Sequence, residues 1–247
     1  MATAVENREA RAAPRARSRF FANAAILMAV AVILSFPLTY YGPLIAGSRQ
    51  FGLLRHLHGM VFFAWIILYA VQANLIPAGK IRLHRELGLA GVALGGMMLP
   101  LGLWVAVSEI EEQIAKKAAR PYEIATYNFF DICLFALFFA AAIYQASRKL
   151  DWHRRLVYVA AICVVGPAIS RWVLFLPLPY PWLDAAPNLA ADVFLAALAV
   201  HDWRSLGRLH PATLLAVLVL VPWNFLEPVV ARSAWWGILA PHLYGFA

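Results

Sequence analysis

HLHGMVFFAWIILYAVQANLIPAGKIRLHRELG, residues 56–88, is the stretch that decides the fold. It opens on two histidines, crosses about twenty mostly apolar residues, makes a basic turn and restarts at His84-Arg85. Within it His58, Trp65 and Gln72 recur at i, i+7, i+14, one stripe along a helix. The chain then repeats the plan. Asp131, Phe138 and Gln145 keep the spacing, and a basic turn leads to His153-Arg154. A weaker third copy begins at Asp192, turns at 204–208 and restarts at His210-Pro211. The expected fold is therefore all-α: a polytopic membrane bundle of about seven helices, built as three helical hairpins behind an N-terminal span.

Composition supports a membrane solvent. Hydrophobic residues make up 63% of the chain and charged ones 14%, with a mean hydropathy of +0.69. A soluble domain could not keep that surface in water. Windows near 20–41, 57–77, 86–107, 125–147, 155–176, 188–201 and 211–230 are apolar enough to span, the sixth being the shortest. The expected division is a mobile basic tail over 1–19, a bundle over 20–230 and an interfacial outer tail over 231–247. Little remains for a soluble domain.

Fourteen of the Lys and Arg residues fall in the tail and in the turns at 78–85, 148–155 and 202–209. Six fall on the opposite side, and Arg171 lies inside a span. By the positive-inside rule the N-terminus, His84, His153 and His210 face the cytoplasm and the C-terminus faces the periplasm of a bacterial inner membrane. The net charge of +8 thus reads as topology and gives nucleic-acid binding no support. The first apolar run is too long for a signal-peptide core and is expected to stay as a span. Cys133 and Cys163 show no CxxC or CxxCH spacing, so neither a dithiol nor a covalent haem is indicated. The charged segment 108–124 has acids before bases at helical spacing, as in a solvated helix extension.

Two polar layers follow from the spacing. The outer one draws on His56 and His58, Asp131, Arg171, Asn188 and Asp192, and Asn224 and Glu227. Arg171 stands eighteen residues beyond His153, about 27 Å along a helix, which places it level with His58 and Asp131. Buried ionisable groups are costly in a membrane and mark function. Three carboxyls against one arginine leave a negative balance, to be met by protons, by His58 or by a bound cation. The expected ligand or proton site is His58, Asp131, Arg171, Asp192, Glu227 and Asn188. A divalent metal (zinc, iron or manganese) would use His58, Asp131 and Asp192. The structural alternative clamps Arg171 to Asp131 or Asp192, lets Glu227 snorkel outward and has His58 cap its span. The inner layer is His84, His153 and His210. Histidines paired from neighbouring helices suit a b-type haem, here His84 with His153, and the alternative is a hydrogen-bonding role at the span ends.

The segments LHRELG (83–88) and WHRRLVYVAAICVVGPAISRW (152–172) resemble a widespread family of bacterial multi-pass membrane proteins that share HRxxG and HRR segments and a later intramembrane Arg. The segment GRLHPAT (207–213) extends the likeness to a subgroup. That resemblance implies the fold and no activity. The chain is also distantly similar to transmembrane b-type cytochromes, in which haem histidines come from alternate helices. His84 and His153 match one such pair. Asp131 stands where the other pair would need a histidine, so the similarity implies one haem at most.

The leading functional reading is an outer-facing polar site that binds a cation, a proton or a small ligand. As an enzyme the protein would be a membrane oxidoreductase. The other readings are a haem electron-transfer protein, a proton-coupled transporter, and a sensor or assembly factor without turnover. Three sequential hairpins are not an inverted repeat, which speaks against alternating-access designs. No nucleophile–base spacing, phosphate loop or HExxH is present in the sequence.

Overall fold

A computed structural model gives the structure of residues 19–173 and 175–246; residues 1–18, nearly all of the expected tail, lie outside them. Seven helical segments among the described residues are long and apolar enough to cross a bilayer, and the chain is a multi-pass membrane protein. They are α1 (Phe20–Leu34), extended by a wide turn at Pro37–Tyr41 and a short helix at Gly42–Ile45, α2 (Leu53–Leu75), α3 (Ile81–Ala115), α4 (Glu123–Gln145), α5 (Leu150–Val173), α6 (Trp182–Leu206) and α7 (Pro211–Ala231). A shorter α8 (Ala234–Tyr244) follows. The end bearing Lys80, Lys149 and Arg208 is called here the basic end, the other the far end.

The sixth helix departs most from expectation. It begins at Trp182, six residues before the apolar window, and runs 25 residues. Asp184, Pro187 and Asn188 lower its hydropathy without breaking it, although Pro187, in the second turn, has no N–H to give the Leu183 carbonyl. The third helix continues through the charged segment to Ala115, where Arg55 of α2 forms an ion pair with Glu112.

Helix α5 is the axis of the bundle. It packs on α1, α4, α6 and α7, and 72% of its apolar window is buried, against 22–41% in the other spans. Its sequence explains the position. Residues 159–169 are apolar and mostly small on every side, with no polar face to turn toward solvent. Helices α2 and α3 complete the bundle beyond α1 and α4. Gly95 and Gly102 of α3 are closely overlaid by Phe139 and Ile132 of α4, so a larger residue at either would push the helices apart. Between the two ends lies an aromatic slab in which Trp65 meets Phe135 and Phe139 edge-on. Exposed apolar side chains such as Leu27, Leu89, Leu137, Val193 and Leu218 form a coat for lipid. Helix α8 seals the far end of α4, with Trp236 and Ala240 buried and Tyr244 donating to the Ala125 carbonyl at 3.1 Å.

Candidate functional site

At the far end three helices carry a polar residue on each successive turn of one face. On α4 these are Glu123, Tyr127 and Asp131, and on α6 Asp184, Asn188 and Asp192, each set at i, i+4, i+8. Helix α7 supplies Asn224 and Glu227, with Arg232 just past its end. The three faces meet. Asn188 donates to Glu227 at 3.0 Å and Asn224 donates to Asp192 at 2.9 Å. Asp131 lies beside Asn188 and Glu227. Glu227 is 1% exposed, Asn224 6% and Asp131 9%. Helix α5 closes the back, and Gly166 has no side chain because the Asn188 carboxamide occupies that space.

The cluster is rich in acceptors. Glu227 Oε1 and Asp192 Oδ1 are buried without a hydrogen-bond partner among the described residues. Pro167 and Pro228 have no N–H to give the Cys163 and Asn224 carbonyls, one turn earlier on their helices. A small cavity lies at the floor, lined by Asp131, Cys163, Asn188, Asn224 and apolar neighbours. Its space for water centres is about 10 Å³, the order of one water molecule.

Of the six residues expected in the site, Asp131, Asn188, Asp192 and Glu227 come together, whereas His58 and Arg171 do not join them. Arg171 donates to the Pro167 carbonyl at 2.6 Å and lies over the Phe36 ring at 3.9 Å. The expected clamp to Asp131 or Asp192 is therefore not made. Arg171 stands two turns beyond Cys163, which lines the cavity with Asp131, and its side chain turns back along α5 toward α1. His58 packs on Phe62 and faces Arg171 instead of the carboxyls. Glu227 does not snorkel; it turns into the bundle. Among the described residues no three His, Cys, Asp or Glu side chains are gathered as a metal ion requires. The donor set His58, Asp131 and Asp192 is corrected on that ground.

The basic end holds a second buried cluster, built on an arginine that the sequence reading counts only as a topology charge. Arg155 is 0% exposed and lies against Asp202, also 0% exposed. Its Nε donates to Asp202 Oδ1 at 3.0 Å, and its Nη1 donates to the Asp151 carbonyl at 3.0 Å. Thr213 Oγ1 (2.5 Å) and the His210 amide (3.2 Å) donate to Asp202 Oδ2. The staple joins α5, α6 and α7. His210 differs from the other two inner histidines, because its Nδ1 accepts from the Ala212 amide at 3.1 Å and caps α7. Burial, with Arg155 adding to it, holds the His210 imidazole below its ordinary value, the neutral form a capping acceptor needs.

His84 and His153 lie near one another between α3 and α5. His153 Nδ1 is 2.9 Å from the Ala142 carbonyl. His84 Nδ1, both polar atoms of the Gln72 carboxamide and Gln145 Oε1 are buried without partners among the described residues.

Tyr127, Asp184, Glu123 and Arg232 were missed by sequence reading. The signal for the first three was present in the i, i+4, i+8 spacing on α4 and α6. Nothing in the sequence placed Arg232 against them. The chain is matched by no protein-family model, by no curated protein and by no solved structure.

Proposed function

We propose that this protein is proton-coupled, and that Asp131, Asp192 and Glu227 form an intramembrane site which takes up and releases protons. One observation carries the reading: buried Asp131 and Glu227 lie beside one another and Asn188, and Asp131 lines a water-sized space. Asp192 pairs with Asn224 nearby, so the partners of these carboxyls are carboxamides and not cations. Taking an unpaired carboxylate into a membrane interior costs several kcal/mol. The cluster becomes neutral by holding protons, which also supply the donors its free oxygens and freed carbonyls lack. The narrow space leaves no room for an organic ligand. The distribution of Lys and Arg puts the far end on the periplasmic side of a bacterial inner membrane, so the exchanged protons come from that side.

Proton counting by back-titration of the purified protein in detergent tests this. Wild type is expected to bind more protons than Asp131→Asn/Glu227→Gln between about pH 5 and 9, the range in which buried carboxyls titrate. Identical titration curves would refute it. A second reading rests on the adjacency of His84 and His153, whose surroundings leave His84 Nδ1, the Gln72 carboxamide and Gln145 Oε1 unpartnered among the described residues. They would hold a b-type haem from α3 and α5, and a red preparation whose absorption is lost in His153→Ala would favour it. A colourless one would leave these groups as an ordinary polar layer.

A further inference from the structure

The carboxyl site is buried, yet the three polar faces that build it continue to the rim of the far end. From Asp131 back to Glu123 on α4, and from Asp192 back to Asp184 on α6, is eight residues, about 12 Å along the axis. Tyr127 lies midway. Its hydroxyl is buried and has no hydrogen-bond partner among the described residues. It stands within electrostatic reach of Glu227 on the inner side and of Asp184 and Glu123 on the outer side.

At the rim one side chain bridges α4 and α6. Arg232 Nε donates to Glu123 of α4 at 2.5 Å, and its Nη2 lies 2.9 Å from Asp184 of α6. The guanidinium is stacked 3.9 Å over Tyr180, whose hydroxyl donates to the Pro228 carbonyl of α7 at 3.4 Å. Arg232 thus ties together the three helices that form the site. Burial opposes its charge, and the hydrogen bond it donates to Glu123, together with the charge of Asp184, outweighs it, so the guanidinium stays firmly protonated. Both carboxylate partners are 17% exposed, so the latch sits at the edge of water and not within the core.

We propose that Arg232 is a latch over a proton path in which Tyr127 relays between the rim pair Glu123–Asp184 and the inner pair Asp131–Glu227. Resting on the proton-site reading above, this names its entrance, its relay and the residue that controls access. In uptake, a proton from water at the far end reaches Asp184. The Tyr127 oxygen accepts it while its own hydroxyl proton passes to a Glu227 oxygen. The phenol is left neutral and one carboxylate becomes a carboxylic acid. Charge on Glu123 and Asp184 is balanced by Arg232 in the closed form. When the guanidinium swings out, that rim becomes a pair of free carboxylates facing water.

Infrared spectroscopy of the full-length protein in lipid nanodiscs, with a rapid shift from H2O to D2O, follows the carbonyl band of the buried acids as they exchange. Tyr127→Phe removes only a hydroxyl, and is expected to slow the exchange about tenfold or more, the factor carried by ~1.4 kcal/mol. Arg232→Gln is expected to speed it by a similar factor. Glu123→Gln/Asp184→Asn frees the arginine but also removes the carboxylate that takes the proton from water, so its exchange should stay slower than that of Arg232→Gln. A carboxylic-acid band that is present but exchanges at one rate in all four proteins would overturn the latch and leave the proton site standing. Absence of any such band in wild type would overturn both.

Discussion

Replacing Asp202 by alanine removes the acceptor on which Arg155, Thr213 and the His210 amide converge. The guanidinium left behind is 0% exposed, so water cannot replace the lost carboxylate without opening the junction of α5, α6 and α7. Breaking a buried pair by deleting one partner costs about 3–5 kcal/mol. In a chain of this size each ~1 kcal/mol moves Tm by about 2–4 °C, which puts the expected drop at about 6–20 °C. Arg154→Ala is the internal control. Arg154 pairs with Asp151 at 2.7 Å, with the two side chains 46% and 66% exposed, and such a surface pair contributes about 0–1 kcal/mol. Thermal unfolding in one detergent, read by tryptophan fluorescence and by loss of the monodisperse peak, measures both. If Asp202→Ala melts within a degree or two of Arg154→Ala, the buried staple is not what holds the basic end together.

Other consequences follow from the same geometry. Glu227→Gln removes a buried carboxyl that has no cationic partner and keeps a group able to accept from Asn188, so Tm should hold or rise, whereas a fall of more than about 1 kcal/mol equivalent would mean that the charge is stabilising. Gly166→Ala places a methyl group where the Asn188 carboxamide lies, and should cost about 1–3 kcal/mol by denaturant or thermal unfolding. His210→Ala deletes the α7 cap and should cost about 0.5–2 kcal/mol at neutral pH. Because the folded-state value of His210 is lowered, its contribution is fully present above the unfolded value of about 6.5 and is lost as pH falls through the lower folded value. The stability gap between wild type and His210→Ala should therefore close on acidification, and a gap that widens would contradict the capping role.

Hydropathy exposed five of the spans at close to their true extent, because a bilayer demands length and apolarity and little else; the third runs on into the charged segment. The sixth reads short for a local reason. Asp184 and Asn188, which depress its apolar window, are part of the polar face that α6 turns toward α4 and α7. Depth was legible only in part: Asp131 shares a cavity with Cys163 of α5, whereas Arg171 stands two turns farther toward the far end. Azimuth was not. A residue's angle about its helix depends on which neighbours the helix packs against, and a single sequence does not state that α5 is the central helix. Arg155 shows the limit most plainly. In His153-Arg154-Arg155 two adjacent arginines have identical local sequence signals, yet one meets water and Phe21 while the other is closed over by α6 and α7. The i, i+4, i+8 spacing of Glu123, Tyr127 and Asp131 was readable, but gained meaning only beside the matching face of α6.

The infrared spectrum of wild type against Asp131→Asn and Glu227→Gln at equilibrium is the most direct measurement of the proton site. The account predicts a protonated-carboxyl band at neutral pH that disappears on alkalinisation and loses intensity in each variant. A wild-type spectrum with no such band, or a band that neither substitution changes, would contradict it.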